Sequence, residues 1–131
     1  MKRYKSTITG WVVFDIGNNI FYTGIVGLMF PLWITRSMGG SDATLGNVIA
    51  LAMMVAFFAS PILGAISDRF NKKMPLLMLF SLLATIGLFF LGSGGYYQSL
   101  VLFVVSLSSV HIANIFYNGL LADISEETNV G

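Results

Sequence analysis

Three long stretches without a charged residue dominate this chain and limit what it can fold into. They run from Ile16 to Thr35, from Ala43 to Ser67 and from Met74 to Ala122, over 20, 25 and 49 residues. About 20 helical residues cross the roughly 30 Å hydrocarbon core of a bilayer. Because the last stretch is long enough to cross twice, the pattern predicts an all-α membrane protein with four transmembrane helices.

The composition excludes several classes of protein. The chain is 56% hydrophobic and 10% charged, whereas soluble domains are about 45–50% apolar and about 25% charged. A net charge of +1 provides no basic surface for nucleic acid, and a chain with no cysteine and one histidine is poor in metal ligands. A soluble enzyme is therefore nearly excluded, and a membrane-embedded enzyme is the weakest alternative because one His and one buried Asp are little material for catalysis. We expect a protein that is not an enzyme, with no cofactor, no metal site and no nucleic-acid partner.

Breaks between the apolar stretches place the helices. We predict one transmembrane region over residues 1–131, with helices near residues 9–35, 43–67, 74–92 and 97–122. Ser41 or Asp42 is expected to cap the second helix, because a short side-chain oxygen accepts from the first free amides. Pro61 is expected to bend that helix. The segment Gly92–Gly95 predicts a tight hairpin between the third and fourth helices.

The positive charges predict the orientation. Six of the seven cations precede the first helix or lie between the second and third helices, and these regions share a side if there are four spans: Lys2, Arg3, Lys5, Arg69, Lys72 and Lys73. Because Lys and Arg in short loops favour the cytoplasm, we expect a cytoplasmic N-terminus. The location would be the plasma membrane in a prokaryote, with the vacuolar membrane as a further option in a eukaryote.

Polar side chains form a stripe on the first helix. Asp15, Asn18, Asn19 and Tyr22 are spaced i, i+3, i+4 and i+7, which is one face of an α-helix. Ionisable groups inside a span are costly and usually face the bundle interior or a wet cavity. Asp15 alone is equally compatible with the membrane interface, but the four residues together favour a cavity wall.

The fourth helix carries a similar stripe. His111, Asn114 and Asn118 are spaced i, i+3 and i+7, and Tyr117 lies at the edge of that face. A neutral histidine and asparagines that only join helices would explain them singly. Two stripes at overlapping depth favour a shared substrate cavity. Residues 19–24 and 114–119 are also identical at five of six positions, which is compatible with inverted three-helix repeats.

The second helix ends in a motif. Small residues recur every fourth position and lead to an acid: Ala52, Ala56, Ser60, Gly64 and Asp68. Such a stripe lets another helix approach closely. The basic residues that follow fit an ordinary positive loop, but the approach to a single carboxylate predicts an ion-pair cluster.

This motif resembles the signature of the major facilitator superfamily between its second and third helices. The matching residues are Gly64, Asp68, Arg69, Lys72 and Lys73. Asn71 stands where the family usually has glycine, and asparagine also tolerates a left-handed turn. The resemblance implies a twelve-helix fold built from three-helix inverted repeats, in which these residues act as a cytoplasmic gate that contacts the other half of the protein.

A narrower resemblance covers two helix ends. The segment from Trp11 to Tyr22, followed by Phe30 and Pro31, is similar to the first helix of the vacuolar effluxer (autophagy-related) branch. The segment from Phe116 to Leu121 is similar to the end of that branch's fourth helix. This resemblance implies amino-acid efflux.

We therefore predict the N-terminal portion of an alternating-access transporter for a small solute, with proton exchange at Asp15 or His111 as a hypothesis. Its partners would be the solute, the lipid bilayer and the missing C-terminal helices. A free-standing four-helix protein that oligomerises into a small transporter or channel also fits the composition. The reading frame beyond Gly131 distinguishes the two, and on the first interpretation this chain alone should not transport.

Overall fold

The computed structural model describes the backbone from Lys2 to Thr128 and the side chains of residues 8–123. The predicted N-terminal cations Lys2, Arg3 and Lys5 therefore lie outside the described side chains. The chain divides into two compact units, one ending at Leu45 and the other beginning at Gly46.

The first unit contains one helical rod with three parts. Helix α1 (Lys2–Asn19) continues into a π-helix, π1 (Ile20–Met29), and then into α2 (Phe30–Arg36). The stretch Ile8–Arg36 is long and apolar enough to cross a membrane. This stretch covers the expected residues 9–35, while the helix itself begins earlier, at Lys2, and ten of its residues are π-helical.

The π-helix π1 ends two residues before Pro31. Phe30 donates its backbone N–H to the carbonyl of Ile25, five residues earlier, as in a π-helix. Pro31 has no N–H, so an α-helix would leave the carbonyl four residues before it without a donor. In transmembrane helices, local π-helical turns allow neighbouring N–H groups to bond such carbonyls. The α-helical periodicity that the sequence predicts therefore ends at Asn19.

The second unit is built from α3 (Asp42–Phe70), whose first turn precedes the division, α4 (Lys73–Phe89) and α5 (Tyr96–Thr128). The stretches Asp42–Phe70 and Tyr96–Asp123 are long and apolar enough to span a membrane, while Lys73–Phe89 is a shorter apolar helix. The prediction of an all-helical protein of the membrane type is confirmed. Within the described residues, length and composition alone support three full spans and one shorter helix.

Helix α5 is the most buried span of the chain. In its most apolar stretch 56% of the residues are buried, against 11% for α3. Phe103 and Leu107 of α5 are almost fully buried, and the rings of Phe80 and Phe116 stack across α4 and α5 at 6.3 Å. The packing of α4 on α5 therefore forms the core of the second unit.

Close approach of α4 to α5 depends on a glycine. A Cβ built on Gly87 would overlap the hydroxyl of Ser106 and lie 3.4 Å from the Leu102 carbonyl oxygen. Small residues at such contacts let transmembrane helices pack through their backbones. The hairpin that joins the two helices is held by Ser99, whose hydroxyl donates to the Leu91 and Gly95 carbonyls at 2.8 and 3.1 Å.

Helix α3 begins and packs largely as predicted. The Thr44 backbone N–H donates to Ser41 Oγ at 3.2 Å, so Ser41 caps the helix. Ala52 and Ala56 of the small-residue stripe are buried. At Gly64, however, a Cβ would meet no atom of the described residues within 4 Å. Other residues therefore cover Ala52 and Ala56, whereas no described residue lies close to Gly64.

Candidate functional site

The segment from Asp68 to Lys73, which we name the charged turn, joins α3 to α4. Asn71 has φ +51°, and the Lys72 backbone N–H donates to the Ser67 carbonyl at 3.1 Å. A left-handed residue followed by this 6→1 bond is the Schellman ending of a helix. The prediction that Asn71 would form a left-handed turn in place of the family's glycine is confirmed.

We expect substitution of Asn71 to separate backbone conformation from side-chain chemistry. Because a left-handed backbone costs about 1–2 kcal/mol for ordinary L-residues, Asn71→Val should lower the free energy of unfolding by about that amount. Asn71→Gly, the matched control, removes the same amide without strain and should cause no loss. SDS titration of the chain in mixed micelles measures both values. Equal losses in the two variants would contradict the conformational explanation.

Lys73 joins two carboxylates from different helices. Its Nζ donates to Oδ2 of Asp123 at 2.8 Å and lies 3.9 Å from Oδ1 of Asp68. The lysine side chain is 22% exposed, whereas those of Asp68 and Asp123 are 73% and 57% exposed. The charged turn is therefore tied to α5 through one ammonium group, and the Asp68 carboxylate is largely accessible.

Gly119 gives Lys73 a route to Asp123. A Cβ at Gly119 would lie 3.9 Å from Lys73 Cδ and 4.0 Å from its Nζ, so the lysine stem passes over a position with no side chain. Asp123 is one helical turn further along the same face. Sequence reasoning did not select Asp123 as a site residue. The sequence offered one indication of its role: Asp123 is an acidic residue at the end of the fourth predicted helix, which is expected on the same side of the membrane as the basic loop.

The remaining residues of the predicted gate are accessible. Arg69 and Lys72 are exposed, and Gly64 is half-buried. The Arg69 guanidinium lies 6.0 Å from the centre of the Phe70 ring. The cations of the charged turn other than Lys73 are thus placed where another surface could contact them.

A groove of about 830 Å³ lies between α3 and α5, within the size range of small-molecule sites. It is open on one side and is lined mainly by apolar and aromatic side chains. The lining residues, which together define the groove, are Met53, Ala56, Phe57, Phe58, Ser60, Pro61, His111, Asn114, Ile115 and Asn118.

The polar stripe of the fourth predicted helix lies in this groove. His111, Asn114 and Asn118 are among its lining residues. Tyr117 is only 8% exposed and does not line the groove. Sequence reasoning missed the opposite wall, where Phe57, Ser60 and Pro61 of α3 are found. The signal available for them was the small-residue stripe and the proline beside it, which predicted helix packing and not a cavity.

The polar stripe of the first helix lies in the first unit. Asp15 and Asn19 are exposed, and Asn18 and Tyr22 are half-buried. Asn19 Nδ2 donates to the Asp15 backbone carbonyl at 3.0 Å. Because Tyr22 belongs to π1, the four residues do not share one regular α-helical face. That this stripe and the α5 stripe line the same cavity stays a prediction.

Among the described residues, no group of three His, Asp or Glu side chains comes together as a metal site. The chemistry that the site offers is therefore an ion-pair cluster at the charged turn and hydrogen bonding beside aromatic rings in the groove.

Comparison with known proteins identifies related chains. The MFS_1 like family matches residues 17–126. An uncharacterized MFS-type transporter, YxiO, of Bacillus subtilis (strain 168) is 28% identical over 97% of this chain and 32% of its own length. An uncharacterized protein of Aquifex aeolicus (strain VF5) is 30% identical over 96% of this chain and 33% of its own length. No solved structure matches the chain.

The chain thus spans about a third of the length of these relatives. The family match covers most of the chain, including the charged turn and the groove. Together with the long apolar helices, it identifies an integral membrane protein. The chain belongs to the MFS_1 like family.

Proposed function

We propose that this chain forms the N-terminal part of an alternating-access secondary transporter that moves a small organic solute across a membrane. The family match and the similarity to an MFS-type transporter support transport as the activity. The motif Gly64–Lys73 follows the second predicted helix, which is its position in the first half of the superfamily. This supports the N-terminal placement and the twelve-helix architecture of the complete protein.

The observation that carries the proposal is the ion-pair cluster of Lys73 with Asp123 and Asp68. It holds the end of α3, the start of α4 and the end of α5 together at one end of the second unit. Asp68, Arg69 and Lys72 remain exposed beside it. A charged end with accessible groups is suited to contact a second half of the protein in one state and release it in another.

The positive charges of the chain support a location for the proposed gate. Three of the seven cations lie within the first five residues of the chain and three lie in the charged turn, which supports a cytoplasmic position for the gate. Both relatives named above are bacterial, which supports the plasma membrane. The gate would then close the cytoplasmic end of the solute pathway.

Amino acids are the first solutes to test, because of the resemblance of two helix ends to the vacuolar effluxer branch. We expect the product of the complete reading frame, reconstituted in proteoliposomes, to exchange at least one radiolabelled amino acid above protein-free liposomes. Exchange of other organic solutes but of no amino acid would retain the transporter and remove that solute class. Exchange of none would contradict the proposed function.

The same preparation tests proton coupling. If Asp15 or His111 carries the proton, an imposed pH gradient should stimulate uptake by the unmodified protein but not by Asp15→Asn or His111→Gln. Asn47→Gln, a polar substitution at an exposed α3 position outside the groove, is the control and should keep the stimulation. Stimulation that persists in both test variants would assign coupling to other residues.

A further inference from the structure

His111 is the only ionisable residue among those that line the groove between α3 and α5. None of its ten lining residues is Asp, Glu, Lys or Arg. A solute with several charges would therefore lose its hydration there without gaining an opposite charge, which is strongly unfavourable. Phosphate, sulfate and dicarboxylates do not suit this lining.

Aromatic rings form one part of the wall. Phe57 and Phe58 are 74% and 64% exposed, and their centroids are 5.4 Å apart at an interplanar angle of 79°. Two accessible rings at nearly right angles can offer a face and an edge to the same ligand. Ring faces attract ammonium groups and pack against apolar bodies.

Hydrogen-bond acceptors lie beside these rings. Pro61 has no N–H, so the Phe57 carbonyl has no i+4 donor within α3. Phe57 and Pro61 both line the groove, so the carbonyl that lacks this donor belongs to a groove-lining residue. Ser60 donates its hydroxyl to the Ala56 carbonyl, so its own oxygen is left to accept. Asn118, which is exposed on the opposite wall, adds an amide oxygen.

We propose that this groove binds an organic amine with a bulky apolar or aromatic body. The ammonium would be held by the Phe57 carbonyl, Ser60 and Asn118, and the body would pack against Phe57 and Phe58. This inference rests on the proposed function, since it names the class of solute that the transporter would take. If an amino acid is the solute, its carboxylate must bind outside the groove.

Thiol labelling tests the proposal, because the chain has no cysteine of its own. Ile115→Cys, at a groove-lining residue that is 43% exposed and has no proposed contact with the amine, should react with N-ethylmaleimide when the full chain is reconstituted in lipid nanodiscs. Millimolar phenylethylamine should slow that reaction at least threefold, and succinate should not. Met53→Cys, on the α3 wall and 51% exposed, measures the same effect if the first variant folds poorly. Asn47→Cys, exposed on α3 outside the groove, is the matched control and should label at the same rate throughout.

A second comparison tests the role of the rings. Phe57→Ala, combined with Ile115→Cys, should raise the phenylethylamine concentration for half-protection at least threefold. Phe89→Ala, which removes an 81% exposed ring outside the groove, should leave it unchanged. No protection, or equal protection by amine and succinate, would overturn the proposal. Labelling reports binding alone, so protection without transport would overturn the proposed function and leave the groove assignment intact.

Discussion

Asp68→Asn in the complete transporter should lower the rate of solute exchange at least tenfold while changing solute affinity less than twofold. Asp68 is 73% exposed and lies 3.9 Å from Lys73 Nζ, so its carboxylate is available to a second surface. Removing one partner of a charge pair that becomes buried costs about 2–5 kcal/mol. A loss of that size disfavours the state in which the gate is closed and so slows the transport cycle.

The substitution is nearly isosteric, so the effect should come from charge and not from shape. Asp42→Asn makes the same chemical change at the opposite end of α3, where the carboxylate is also exposed, and should keep normal exchange. Counterflow in proteoliposomes measures the rate, and equilibrium binding of the same radiolabelled solute measures the affinity. Full turnover by Asp68→Asn would exclude a gating role for this carboxylate.

Gly87→Leu should produce the largest loss of stability in the second unit. Even one added carbon at Gly87 overlaps the Ser106 hydroxyl and lies 3.4 Å from the Leu102 backbone oxygen. A leucine would force α4 away from the α5 residues that form the core. Overpacking of a close contact typically costs about 1–3 kcal/mol, and we expect the upper part of that range because backbone lies directly behind the glycine.

Two further variants separate this contact from a general effect of leucine. Gly46→Leu, at a position on α3 where a Cβ meets nothing within 4 Å of the described residues, should leave the unfolding midpoint in SDS nearly unchanged. Gly87→Ala should lower the free energy of unfolding much less than Gly87→Leu does. The Ser106 hydroxyl is buried without a hydrogen-bond partner among the described residues, so it can rotate away from an added methyl group. An unchanged midpoint in Gly87→Leu would show that α4 and α5 do not depend on this approach.

Features that depend on neighbouring residues were predictable from the sequence. The Ser41 cap and the left-handed Asn71 both follow from interactions that span a few positions. The apolar helices follow from lengths without charge, because a bilayer imposes one hydrophobic thickness. The exception was π1, because the sequence predicted an α-helical period through Ile20–Met29 and that segment is π-helical.

Features that depend on helix rotation and packing were not predictable in the same way. Lys73 meets Asp123 across 50 positions of sequence, and nothing in the spacing of either residue selects the other as its partner. The opposite wall of the groove was missed for the same reason, because Ser60 and Pro61 also fit a simple packing stripe. The periodicity of a helix specifies which residues share a face but not which other helix that face meets.

The sequence by itself therefore determined that this chain is a helical membrane protein and where its charged turn lies, because charge-free length and local backbone preference are properties of short segments. Only the tertiary structure decided that Lys73 ties that turn to α5, that Gly87 allows α4 to approach Ser106, and that α3 and α5 enclose a groove. These are contacts between distant segments, and they depend on how complementary side chains pack once the helices meet.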